Sequence, residues 1–150
     1  MTELDKLFEE EEKIEQSVKE ISQGLLDLSD YSLAKSAIEL AESEVIGKKI
    51  RNACDKISEE VHIARKKLGS LFTDSTKVKF KKIERPLHEM EDELALIHGD
   101  LEAIGEIAEK FHEAENRKAA FENLSKHYAE LIQHITSLMC QKLELADIVN

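Results

Sequence analysis

The sequence predicts an all-α fold: an elongated up-down bundle of about four long helices, forming one domain over residues 1–150. Three observations predict it. Five Gly and one Pro in 150 residues are too few to punctuate a many-stranded β fold. Apolar residues recur at alternating spacings of three and four, the period of a helix face rather than of a strand. Hydrophobic residues make up 41%, ordinary for a chain that buries a core rather than for a disordered tail.

The first helix is expected over 3–28. Leu4, Leu7, Ile14, Val18, Ile21, Leu25 and Leu28 form a heptad stripe whose one vacant position is Glu11. Thr2 is the expected N-cap, because its hydroxyl can accept from an otherwise unpaired backbone N–H. The stripe changes phase after Leu28, so the chain breaks near Ser29, and Ser29 or Asp30 caps a second helix over 30–68. That helix carries Leu33, Ala37, Leu40, Gly47, Ile50, Cys54, Ile57, Val61, Ala64 and Leu68. Its Ala-rich start (Ala34, Ala37, Ala41) is expected to let a neighbour approach closely. Gly69–Thr76 reads as a loop with a Gly C-cap.

A third helix is expected over 76–112, on the stripe Phe80, Ile83, Leu87, Met90, Leu94, Ile97, Leu101, Ile104, Ala108 and Phe111. Pro86 lies inside it. The stripe keeps its phase there, so a kink is favoured over a helix starting at Pro86. Beyond Phe111 the apolar series restarts off register at Phe121, Leu124, Tyr128, Leu131, Ile135, Leu138 and Leu145. A turn near 113–117 or a heptad discontinuity explains the slip. The turn gives a fourth helix over 117–148.

Composition narrows function. A net charge of −11 would repel polyphosphate, which argues against a nucleic-acid binder. No apolar run approaches the ~18–20 residues that span a membrane, and the acidic start Met1–Asp5 lacks the basic region of a signal peptide. Two Cys are too few for a disulfide framework and fit no zinc motif, which points to a reducing compartment. Cys54 lies on an apolar stripe where its thiol is inert. With neither a nucleophile motif nor a Gly-rich phosphate loop, the protein is expected not to be an enzyme.

Several clusters offer ligand chemistry. Glu59/His62 and Glu109/His112 are Glu-x-x-His pairs, which in ferritin-like di-metal bundles project inward from two helices. Glu59 points away from the core stripe, so a solvated charged face is the favoured reading. His127, Glu130 and His134 share one face at i, i+3 and i+7. They either pack at the bundle edge, the favoured reading, or supply three ligands to zinc or iron. Glu11 is either exposed at a frayed helix start, again favoured, or meets Lys, Arg or a metal. Lys77, Lys79, Lys81, Lys82 and Arg85 form a basic collar that answers the acidic first helix or holds phosphate or an acidic partner.

The stretch Asp100-Leu101-Glu102-Ala103-Ile104-Gly105-Glu106-Ile107-Ala108 resembles the D-L-E-R-I-G-D-x-A signature of PhoU-like proteins. It matches at Asp100, Leu101, Glu102, Ile104, Gly105 and Ala108. Leu26–Ala34 carries the similar D-x-x-L-A piece of that family, and the likeness covers residues 4–110. Ala103 stands where the family has Arg, and Glu106 where it has Asp. Full-length members hold two three-helix repeats, whereas this chain has room for one repeat and a fourth helix.

Glu102 and Glu106, at i and i+4, put two hard-oxygen ligands on one exposed strip. The resemblance implies a cytoplasmic regulator or adaptor that acts on a phosphate transporter or its sensor partner. It also implies a structural or regulatory divalent or ferric metal ion. The expected ligands are Glu102 and Glu106, with Asp100 and Glu109 as neighbours. Two alternatives stand beside it. One is a metal-free interaction module that forms homo-oligomers through the second apolar stripe Ile38, Val45 and Ile46. The other is a ferritin-like di-metal bundle.

Overall fold

The computed structural model describes residues 2–74 and 82–149. Four helices account for nearly all of them: α1 (Glu3–Ser29), α2 (Ala37–Asp74), α3 (Glu84–Lys110) and α4 (Arg117–Val149). They pack as an all-α up-down bundle. Consecutive helices meet along their lengths, while α1 closes only sparsely onto α4. α2, at 38 residues, extends for ~57 Å at 1.5 Å per residue.

Each helix forms where its apolar period is sustained, and α1, α2 and α4 begin where a polar side chain captures a backbone N–H. At the start of α1 the Asp5 N–H donates to Thr2 Oγ1, and the Thr2 N–H donates back to Asp5 Oδ2, both at 3.1 Å. This reciprocal box satisfies two donors that no helical carbonyl reaches. Leu7, Ile14, Val18, Ile21, Leu25 and Leu28 then enter the core, each burial contributing ~1.5–3 kcal/mol.

Three of the expected boundaries move. α2 begins at Ala37 rather than at residue 30, because residues 30–36 form a turn and Ser36 is the cap. The Glu39 N–H donates to Ser36 Oγ at 3.1 Å, and the Ser36 hydroxyl donates to Glu39 Oε1 at 2.9 Å. Leu33 lies in that turn and is exposed. At its other end α2 continues through Gly69 and Ser70 to Asp74, so no loop opens at Gly69, and Leu71 joins the core. α3 starts at Glu84, which puts Pro86 in its first turn. A proline there interrupts nothing, since first-turn N–H groups have no helical acceptor, so Pro86 opens α3 instead of kinking it. Ser75 and Thr76 of the expected loop, and Lys77, Lys79 and Lys81 of the basic collar, lie outside the described residues. Lys82 is exposed, and Arg85 pairs with Glu89 at 3.3 Å.

The break between α3 and α4 falls where the register slips. A single 3-10 turn, Phe111–Glu113, ends α3, and Asn116 caps α4 by accepting from the Ala119 N–H at 3.0 Å. Arg117 donates to the Ala114 and Ala34 carbonyls, tying this turn to the α1–α2 connection.

Backbone-to-backbone approach comes at one glycine rather than at the Ala-rich start of α2, where Ala37 and Ala41 are exposed. A Cβ on Gly47 would sit 2.1 Å from the Ala108 carbonyl oxygen, so α2 and α3 touch backbone to backbone there. At Gly105 a Cβ would meet only the flexible Arg51 side chain, at 3.0 Å, and Cys54 Cβ at 3.5 Å.

Glu11 corrects a second expectation. It is not exposed at a frayed end but fully buried in the vacant heptad position, and neither of its oxygens has a hydrogen-bond partner among the described residues. Burial pushes its carboxyl up to about 8, opposed only in part by the Lys142 charge on α4.

Candidate metal centre

On α3, Asp100 follows Ile97 on the inner face and precedes Leu101, so its carboxylate is carried into the seam with α4. It is only 7% exposed. Across the seam α4 presents His127, Glu130 and His134, half-buried beside Leu124, Leu131 and Ile135. The i, i+3, i+7 spacing keeps these three on one strip, and helix packing turns that strip toward α3.

Asp100, His127 and Glu130 each bring one ligand atom within 4.8 Å of the others. His127 Nδ1 lies 3.7 Å from Glu130 Oε2, and His134 Nδ1 lies 2.6 Å from Asp100 Oδ2. Burial raises the Asp100 carboxyl above its usual range. The hydrogen bond and charge of His134 oppose that shift, and the Glu130 charge adds to it. Glu93, two turns before Asp100 on the same face of α3, is raised by burial as well, and its Oε2 is enclosed without a hydrogen-bond partner among the described residues. The Asp92 and Asp100 charges add to that rise. The ion pairs found for Asp100 and Glu130 are to histidines alone.

This donor set fits a transition metal. Imidazole with carboxylate suits zinc, iron or manganese, whereas an all-oxygen set would suit calcium or magnesium. Ligands ~2.0–2.2 Å from a common ion lie at most ~4.4 Å apart. A spread within 4.8 Å therefore closes with small side-chain rotations.

The other sequence-derived candidates are placed elsewhere. Of Glu102, Glu106, Asp100 and Glu109, only Asp100 joins this cluster. Glu102 is two residues on, ~200° around the helix, and faces α2. There it meets His98 at 3.5 Å in a shallow groove of about 310 Å³, lined also by Arg51, Asp55, Glu59 and His62. Arg51 supplies positive charge to that groove, pairing with Asp55 at 3.3 Å and with Glu109 at 3.8 Å. Glu106 is exposed over the end of α3. His112 turns to Glu44 and Glu113, at 3.7 and 3.6 Å, rather than to Glu109. Glu59, His62 and Glu109 are exposed, so the two Glu-x-x-His pairs do not line a common core site of the ferritin kind. Cys54 is buried and its thiol is pushed up to about 12, which leaves it no nucleophilic thiolate.

Sequence reasoning identified the α4 strip and Asp100 separately and missed Glu93. The signal for Glu93 was its seven-residue spacing from Asp100. No protein-family model matches the chain, and neither does any curated protein or solved structure. None of the four helices is long and apolar enough to cross a membrane, among the described residues.

Proposed function

We propose that this protein is a non-enzymatic regulatory or adaptor bundle that binds a divalent transition-metal or ferric ion between α3 and α4. The observation that carries this reading is the convergence of Asp100, His127 and Glu130 from two helices, with ligand atoms within 4.8 Å. An ion held there ties α4 to α3 and makes the rigidity of that seam depend on metal supply. The likeness of residues 100–108 to PhoU-like proteins supports a regulatory role, with a phosphate transporter or its signalling component as the protein partner. On this reading the ligands are Asp100, His127 and Glu130, while Glu102, Glu106 and Glu109 form the charged surface around them.

The test is metal analysis of the untagged full chain, followed by Co²⁺ titration of the stripped protein. Binding is expected, with loss on His127→Ala or Glu130→Gln and retention on the double change Glu102→Gln, Glu106→Gln. Retention in the histidine variant with loss in the double variant overturns this ligand assignment.

A second reading, a self-associating module, draws on exposed apolar side chains at one end of the bundle. Leu33 is 76% exposed and Ile38 73%, with Leu26 and Val45 also exposed, whereas Ile46 packs on the core. Light scattering on the eluted protein separates a homo-oligomer from a monomer.

A further inference from the structure

We infer that His134 is the positioning residue of the α3–α4 metal seam: its Nδ1–H donates to one Asp100 oxygen and sets the carboxylate so that the other oxygen meets the ion. The inference rests on the metal-binding reading of the same seam and adds to it the group that orders its buried ligand.

Asp100 is the ligand that most needs ordering. Of the three converging side chains it is the one from α3 and the one that is buried. His127 and Glu130 share a helix, and the i, i+3 spacing already sets them side by side. The Asp100 carboxylate has no such local guide. Its outer torsion joins sp³ to sp² carbon and is broad and roughly two-fold, so helix geometry leaves the plane of the carboxylate loosely set. A hydrogen bond to one oxygen removes that freedom.

His134 is placed to supply the bond. It follows Glu130 by four residues and His127 by seven on the same strip of α4, ~10 Å along the helix from His127. It stands outside the group whose ligand atoms converge, yet its Nδ1 lies 2.6 Å from Asp100 Oδ2. The Asp100 side chain is 9% exposed and that of His134 25%, so water competes little for the contact.

The direction of the bond follows from charge. A carboxylate that holds a cation is ionised, and an ionised carboxylate only accepts. Nδ1 therefore carries the proton, and His134 meets Asp100 as a donor rather than as a second ligand. The α4 strip then divides its work. Its first two members supply ligand atoms, and the third, one turn on, steadies the ligand that comes from the other helix. Outer-shell partners of this kind typically account for 10–100-fold in metal affinity.

Affinity and proton position test the inference. The untagged full chain and two variants are stripped with a chelator and titrated with Co²⁺. His134→Ala is expected to weaken binding by ~10–100-fold. His134→Asn is expected to restore most of that loss, since a side-chain amide nitrogen close to the place of Nδ1 donates to Asp100 but does not replace an imidazole ligand. Zn²⁺ loading of the chain labelled with ¹⁵N at histidine adds a second readout. With the ion bound, the His134 Nδ1 resonance is expected to be that of a protonated nitrogen. Should His134→Ala fail to fold, the asparagine variant and this resonance decide. Equal Co²⁺ affinity in the wild-type chain and His134→Ala overturns the positioning role and leaves the metal-binding reading standing. A loss that His134→Asn does not restore, or an Nδ1 without its proton in the Zn²⁺-loaded chain, overturns it as well. No Co²⁺ bound by the wild-type chain at any concentration overturns both.

Discussion

Glu11 on α1 and Asp100 on α3 are both carboxylates buried in the bundle, yet their surroundings differ in kind. Glu11 fills a heptad position meant for an apolar side chain, has no hydrogen-bond partner among the described residues, and feels one cation, Lys142, across the sparse α1–α4 seam. Asp100 has His134 at 2.6 Å and lies within a ligand's reach of His127 and Glu130. Burial raises both. Burial alone therefore does not define a site. Glu11 is a defect in the core that is relieved by protonation, while Asp100 sits where other donors converge and has a hydrogen-bond partner in His134.

The largest effect expected from this contrast is at Glu11. Its carboxyl titrates near 4.5 in the unfolded chain and about 8 in the folded one. Well below pH 4.5 it is protonated in both states and adds no pH-dependent cost. Stability is then lost as pH rises, until the full cost is reached above pH 8. At 1.36 kcal/mol per pH unit that cost is ~4–5 kcal/mol. Glu11→Leu restores the heptad and is expected to raise unfolding stability by about that much at pH 9, with far less effect at pH 4. Urea unfolding at the two pH values measures it. Equal gains at both would mean that Glu11 is not the titrating group.

Asp100→Leu is the counter-test. It removes a buried charge too, but it strips His134 Nδ1 of its partner. The metal-free protein is expected to lose ~1–3 kcal/mol rather than gain stability. Cobalt affinity should fall by ~100-fold or more, since even outer-shell partners account for 10–100-fold. A gain like that of Glu11→Leu would make the two carboxylates equivalent and dissolve the comparison.

The smallest pair of effects concerns what holds α3 in place. Gly47→Ala drives a methyl into the Ala108 carbonyl and is expected to cost ~1–3 kcal/mol. Gly105→Ala meets only the movable Arg51 side chain and gains helix propensity, so a change within ~1 kcal/mol is expected. If Gly47→Ala also weakens Co²⁺ binding while leaving the Glu11 pH step intact, the α2–α3 contact sets the position of the metal seam and not that of the acid on α1.

The resemblance of residues 100–108 directs attention to one turn of α3, and within it to Glu102 and Glu106 as well as Asp100. The helical period itself separates these from Asp100: two residues on is the far side of the helix, where Glu102 meets His98 and the α2 groove. His127, Glu130 and His134 were legible as one strip because i, i+3, i+7 is a local relation. That the strip faces Asp100 was not, since no local relation links positions 100 and 130.

The sequence by itself determined that the chain is a helical bundle and, apart from the expected start of α2, where Leu33 and Ala37 are exposed, which stripe of each helix enters the core. It also determined where the register slips between α3 and α4. Those features follow from the 3.6-residue period and from capping chemistry, both local to a few turns. Only the tertiary structure decided that Glu11 is sealed in rather than frayed out. It alone joined Asp100 to the α4 strip and brought α2 to touch α3 at Gly47. The physical reason is that axial register and rotation between helices are set by connecting turns and by a few close contacts. Ser36 and Asn116 fix where α2 and α4 start, and a shift of one residue there turns every side chain on that helix by ~100°.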